Sequence, residues 1–172
     1  RIGDPTQCHA AAIDARAPKF DGGIVSRVDC VSLGVVVNRD GVRFYDEGED
    51  FWPKRYAVWG RLVAGQPDQI AYIVYDHSSS TLFMPSLFPA ISAPTLHELA
   101  GKLTLDPAAL EKTVAEFNAA VRPGTSSAPR RASAMARASS SGLAQSMRCR
   151  PLHASGAMRC GLGVAHAGAG FI

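Results

Sequence analysis

Residues 34–60 read "GVVVNRDGVRFYDEGEDFWPKRYAVWG", an apolar run, a turn, a second run and an aromatic helix pattern set end to end. "SLGVVVN" has the composition of a strand buried on both faces, "RDG" supplies turn chemistry and "VRFY" alternates, so residues 33–45 are expected to form a β-hairpin. Asn38 and Gly41 belong to the turn by their chemistry. Pro53 stands where a first helical turn tolerates it, with Glu49 and Asp50 just upstream to complement the helix dipole. Tyr56, Trp59 and Val63 then recur at helical spacing, which predicts a helix over 53–65.

The same reading extends downstream. "QIAYIVYD" at 69–76 is a second apolar strand. "TLHELAGKL" opens with a capping box, Thr95 to Glu98, and carries Leu96, Leu99, Ala100 and Leu103 on one face. "DPAALEKTVAEFNAAV" starts with Asp106 as N-cap and Pro107 at the first helical position, and Leu110, Val114, Phe117 and Val121 form its apolar stripe. The expected class is α+β, a small mixed sheet with helices packed beside it.

A chain of 172 residues suffices for one ordinary domain with a single core. Its apolar runs, such as Val35 to Val37 and Ile70 to Tyr75, have the length of strands, so neither a signal peptide nor a membrane span is expected. Cys8, Cys30, Cys149 and Cys160 are spaced too irregularly for a disulfide framework, and a reducing, cytoplasmic setting is the expectation. A start at Arg1 without a methionine suits a piece of something larger.

The formal charge of +3 misleads as a guide to partners. Up to Glu116 the chain holds eleven basic and fifteen acidic residues, a net −4, and the remaining seven basic residues all lie beyond it. From Thr125 to Ile172 there is no Asp, Glu or Lys, and 25 of 48 residues are Ala, Ser or Gly. Such text buries too little to offset its ordering entropy, so 125–172 is expected to be an irregular, low-complexity tail behind a folded unit at 1–124. It is either a flexible basic tail or the product of a slipped reading frame, and we favour a truncated or frameshifted product. Its basic residues lack interleaved aromatics, so no nucleic-acid partner is expected. Cys149, His153, Cys160 and His166 are spaced as C-x3-H-x6-C-x5-H, which matches no zinc-finger pattern, so no metal site is assigned.

"GVVVNRDGVRFYDE" resembles the "GAILVNxxGxRFxxE" signature of flavoprotein subunits in the fumarate reductase and succinate dehydrogenase superfamily. "TLHELAGKLTLDPAALEKTVAEFNAAVRPG" is similar to the helix pair that comes after it, and "RFYDEGEDFWPKRYAVWG" looks like the branch of FAD-dependent tricarballylate dehydrogenases. The resemblance covers residues 1 to about 125 and implies a substrate-capping domain, inserted in that family between two halves of a Rossmann-like FAD-binding domain. No GxGxxG stands behind a strand here, so FAD belongs to the intact enzyme and is not expected to bind this chain alone. The implied substrate is a small polycarboxylate, and the FAD-binding domain is the implied missing partner.

The resemblance also implies site residues. A catalytic arginine lies shortly after "RFxxE" in the family, and Arg55 is the candidate for that place, with Lys54 as fallback. An arginine exchanges protons only if surrounding charge tunes it, because its ordinary pKa lies above about 12, and Glu47, Glu49 and Asp50 are the acids at hand. Ser26 falls where the family has a threonine that contacts a substrate carboxylate. Arg27 and Cys30 replace the glutamate and arginine of the reductases' proton relay, a departure that argues against fumarate reduction and suits a substrate with an extra carboxylate for Arg27 to pair. His9 lies near a substrate-binding histidine of the relatives. Each has a plain structural alternative: a first-turn residue for Arg55, a strand-end cation for Arg27, a surface or core histidine for His9. Tyr45, Trp52 and Trp59 fit a plain core at least as well as a wall over a flavin. The competing functional class is a non-enzymatic α+β binding or interaction module.

Overall fold

Three consecutive valines have no polar side to turn to solvent, so a strand built from them has to be covered on both faces. The structure, a computed structural model, describes residues 9–18, 26, 28, 30–47, 52–83, 87–121 and 158–164, with backbone alone for 52–56 and 158–164. Its strands are Ile13–Asp14 (β1), Val35–Asn38 (β2), Ile70–Asp76 (β3), Ile91–Ala93 (β4) and Met158–Val164 (β5). All of β2 is buried, with Val35 and Val37 in one apolar cluster and Val36 in another.

β2 pairs residue for residue with β3, from Val35 opposite Val74 to Asn38 opposite Ala71. β3 pairs along its whole length with β5, Ile70 opposite Val164 and Asp76 opposite Met158. The far edge of β5 is shared by β1, at Gly163 and Val164, and by β4, at Met158 to Cys160. Where the sequence led us to expect a mixed sheet, every pairing among the described strands is antiparallel.

Three helices cover the sheet: Trp52–Ala64 (α1), Leu96–Leu103 (α2) and Pro107–Ala120 (α3). Leu99, Ala100 and Leu103 of α2 and Leu110, Val114 and Phe117 of α3 pack with Val35, Val37, Tyr72 and Val74. Trp59 and Val63 of α1 pack on the other face with Val36, Ala71, Ile73 and Tyr75. Side chains alternate along a strand, so the two clusters take the odd and even residues of β2. The result is three layers, helix, sheet and helix pair.

Local chemistry sets the helix limits. Thr95 Oγ1 accepts from the Glu98 N–H at 3.2 Å, and Asp106 Oδ1 accepts from the Ala108 N–H at 3.1 Å ahead of Pro107. α2 stops at Thr104, which turns left-handed (φ 58°) while the Leu105 N–H closes back on the Ala100 carbonyl at 2.9 Å.

Two expectations need correction. The return arm of the hairpin is a single bridge, Val37 to Arg43. Phe44 and Tyr45 both turn edge-on to Trp59, at centroid distances of 6.1 and 5.5 Å, and neighbouring residues of a strand would point to opposite faces. The second concerns the expected irregular tail, where residues 158–164 form β5 inside the sheet. The rest of 125–172 lies outside the described residues, as do Arg27, Glu49, Asp50 and the side chains of Lys54 and Arg55.

Candidate functional site

The helix that carries Arg55 is docked by an unusual backbone contact. The Ala10 N–H donates to the Ala57 carbonyl at 2.8 Å, and the Ala10 carbonyl accepts from the Gly60 N–H at 2.7 Å. A Cβ on Gly60 would come within 2.6 Å of that carbonyl, so only glycine lets the segment lie this close to α1. Two residues further on, the Ala12 carbonyl accepts from the Val28 N–H at 3.2 Å, which brings Val28 alongside.

This contact sets the segment that carries His9 against α1. His9 is exposed and directly precedes the residue that docks on α1, and Arg55 lies two residues before Ala57 in that helix. Ser26 is wholly buried, and Cys30 is a buried cysteine in the α1-side cluster. Full burial gives the Ser26 hydroxyl no open face toward a ligand in this structure. The described residues contain no group of His, Cys, Asp and Glu arranged to hold a metal ion.

The charge behind β2 has a defined local use. Glu47 is 6% exposed, and its Oε1 accepts from the Val36 N–H at 2.7 Å. Its Oε2 accepts from Arg43 Nε at 2.7 Å and from Arg43 Nη2, and the guanidinium lies over the Phe117 ring, 5.3 Å from its centroid. The carboxylate thus takes the place that a backbone carbonyl of the missing return strand would fill. Burial pushes the Glu47 carboxyl above its ordinary value, and the Arg43 guanidinium and the Val36 N–H pull it back without cancelling that rise. The sequence places Glu47 among the acids that tune Arg55. Its carboxylate is engaged with Arg43 and β2, and the Arg55 side chain lies outside the described residues.

Asn38 and Gly41 of the signature are turn chemistry. Asn38 Oδ1 accepts from the N–H groups of Asp40 and Val42 at 3.0 and 3.1 Å, and Gly41 takes φ +71° against the start of α3. Trp59, 2% exposed, is core. Among the ion pairs of the described residues that sequence reasoning missed, two hold a buried carboxylate. The first is Arg43–Glu47, whose signal was the i,i+4 spacing of opposite charges in "RFYDE". The second is Asp14–Arg16, where Arg16 holds the buried Asp14 through Nε and Nη2 at 2.8 and 2.7 Å and donates to the Pro89 carbonyl at 2.8 Å. No sequence signal pointed to that second reach, which spans residues far apart in the chain.

No family model matches the chain, and no curated protein matches its sequence. Its fold matches part of the open conformation of a flavocytochrome c3 fumarate reductase, with TM-score 0.56 and 21% identity over 92% of this chain and 24% of that one. It also matches 3-ketosteroid-delta4-(5alpha)-dehydrogenase from Rhodococcus jostii RHA1, solved with 4-androstene-3,17-dione, with TM-score 0.53 and 19% identity over 80% of this chain and 26% of that one. The chain therefore spans about a quarter of the length of these structures. At such identity the shared property is the fold.

Proposed function

We propose that this chain is the substrate-capping part of an FAD-dependent oxidoreductase of the fumarate reductase and succinate dehydrogenase superfamily, and that the intact enzyme dehydrogenates a small polycarboxylate resembling tricarballylate. The reading rests chiefly on the fold shared with a fumarate reductase over 92% of the chain. The candidate residues favour a carboxylate substrate over a steroid. Arg27, Lys54 and Arg55 offer cations, and His9 offers a donor suited to carboxylate oxygens.

The described residues do not fit FAD by themselves. The cavity beside Arg43, lined also by Val42, Thr113, Glu116, Phe117 and Ala120, measures about 220 Å³. Small-molecule and cofactor pockets run from roughly 300 to 1,000 Å³, and the sequence has no glycine-rich turn to cradle a pyrophosphate. The flavin is assigned to a separate domain, and this chain's part is to hold the substrate carboxylates and to exchange a proton at the carbon next to the one oxidised. Arg55 is assigned the proton, and Arg27 and His9 the carboxylates, the buried Ser26 being closed to them.

A fluorescence titration of the isolated chain with FAD is expected to show no saturable binding, and the chain alone is expected to turn over neither tricarballylate nor succinate with an artificial acceptor. Joined to a flavin domain of the superfamily, it should confer turnover of a tricarboxylate. Flavin binding or turnover by the chain alone, or a joined protein that oxidises only steroids, overturns the proposal.

A further inference from the structure

We propose that Arg16 is a latch that splices β1 and β4 into one composite edge strand, so that the N-terminal segment and the approach to β4 are held to the sheet, and released from it, together. The latch rests on backbone register and side-chain geometry, apart from the functional reading above.

Register defines the break that it spans. β1 and β4 both run antiparallel to β5 and pair, among the described strands, with β5 alone, so they point the same way along one edge. Asp14 stands opposite Gly163 and Ile91 opposite Cys160, so neither strand fills the positions that face Leu162 and Gly161. Had β1 continued, Ala15 and Arg16 would take them. The chain instead turns out of the sheet, the Asp14 carbonyl accepting from the Ala17 N–H and Asp14 Oδ1 from the Arg16 N–H, both at 2.9 Å.

The Arg16 side chain crosses this break. On one side its Nε and Nη2 donate to Oδ1 and Oδ2 of Asp14 at 2.8 and 2.7 Å, a two-point fork on a carboxylate that is 2% exposed. On the other, Nη1 donates to the Pro89 carbonyl at 2.8 Å, Nη2 reaches the Phe88 carbonyl at 3.4 Å, and the guanidinium lies 5.2 Å from the centroid of the Phe88 ring. Pro89 stands two residues before β4, so one planar group ties the last residue of the first half-strand to the entry of the second. With two and three residues, β1 and β4 are well short of an ordinary strand, and each alone has few ladder bonds to hold it. Joined through Arg16, the two halves share their bonds and open as one local unit.

The test is amide hydrogen exchange of the full 172-residue chain, read by mass spectrometry, for wild type, Arg16→Ala and Arg16→Lys. Arg16→Ala is expected to exchange roughly tenfold faster or more at residues 10–14 and at 90–93 alike, with residues 110–117 of α3 unchanged. Arg16→Lys keeps a cation for Asp14 but offers it as a point charge, without the planar fork that also spans to the two carbonyls. It should therefore hold 10–14 near the wild-type rate while 90–93 still exchanges faster, which uncouples the halves. Acceleration confined to one of the two segments in Arg16→Ala overturns the latch, because Arg16 then serves one side of the break only. Unchanged exchange in both segments overturns it too, as does an equal rise over β3 and α3, which marks general loss of stability. If Arg16→Ala fails to fold, Arg16→Lys decides alone, and a wild-type rate at 90–93 in that variant overturns the latch.

Discussion

A carboxylate as buried as Glu47 depends on the donors its neighbours supply, and here one of them is itself charged. Removing only the cation leaves the anion buried, which typically costs about 3–5 kcal/mol. Arg43→Met should therefore lose stability of that order near neutral pH. The pH dependence has a definite sign. The folded state raises the Glu47 pKa, so it binds the proton more tightly than the unfolded chain, and the stability this group contributes is fully present below the unfolded value and fades as pH rises through the folded one. Without Arg43 the folded value rises further, so the defect of Arg43→Met should be clearly smaller near pH 5 than near pH 7. Urea denaturation of wild type and variant at the two pH values measures it, and equal losses at both would mean that Glu47 does not sense Arg43. At Arg55 the expectation concerns the intact enzyme. If this residue transfers the proton, Arg55→Lys should slow turnover by roughly 10²–10⁴-fold with flavin content unchanged, whereas a mere carboxylate contact would show chiefly in KM. A variant with normal kcat and KM removes Arg55 from the site and passes the role to Lys54 or Arg27.

Among the elements, those with chemistry at their ends were legible in the sequence. Thr95, Glu98, Asp106 and Pro107 announce the start of α2 and α3 by residue type alone, and the apolar stripes of both helices fall on the buried face. β3 was equally plain, being a continuous apolar run of strand length. The return arm of the hairpin is shorter than expected because alternation in "VRFY" cannot reveal that a carboxylate four residues beyond Arg43 will take the partner's N–H. β5 was hidden for another reason: "MRCGLGV" carries two glycines, which weaken strand propensity, and its place is fixed by long-range pairing with β3. The approach of the His9 segment to α1 was beyond sequence reading too, because it depends on the backbone contact of Ala10 with Ala57 and Gly60. The ends of α2 give a graded test. Thr95→Ala should cost about 0.5–2 kcal/mol by leaving the Glu98 N–H without its acceptor. Thr104 holds φ 58° with a β-branched side chain, so Thr104→Gly should stabilise by about 1 kcal/mol, the lower end of what a left-handed non-glycine residue costs. Thermal unfolding should move down for the first and up for the second, and a destabilised Thr104→Gly would mean that its side chain contributes more than its backbone loses.

For the whole molecule, the decisive element is the strand that composition argued against. β5 stands between β3 and both short strands, so all pairing of β1 and β4 passes through it. A boundary at Gly124, read from composition, makes residues 1–124 a self-sufficient unit whose stability should not depend on residues 125–172. The topology makes the opposite demand. Without β5, seven residues of β3 lose the partners along one edge, and β1 and β4 lose every strand they pair with. An uncovered, apolar strand edge is a template for another copy of the chain. A protein ending at Gly124 should therefore unfold at lower denaturant, exchange the β3 amides faster than those of α3, and self-associate in light scattering as its concentration rises. Addition of a synthetic peptide covering residues 155–167 should restore protection at β3, because the lost register is carried by Met158–Val164 alone. If instead the shortened chain stays monomeric with the full chain's unfolding curve and β3 exchange, then β5 adds nothing to the fold, and the compositional boundary is the right place to cut.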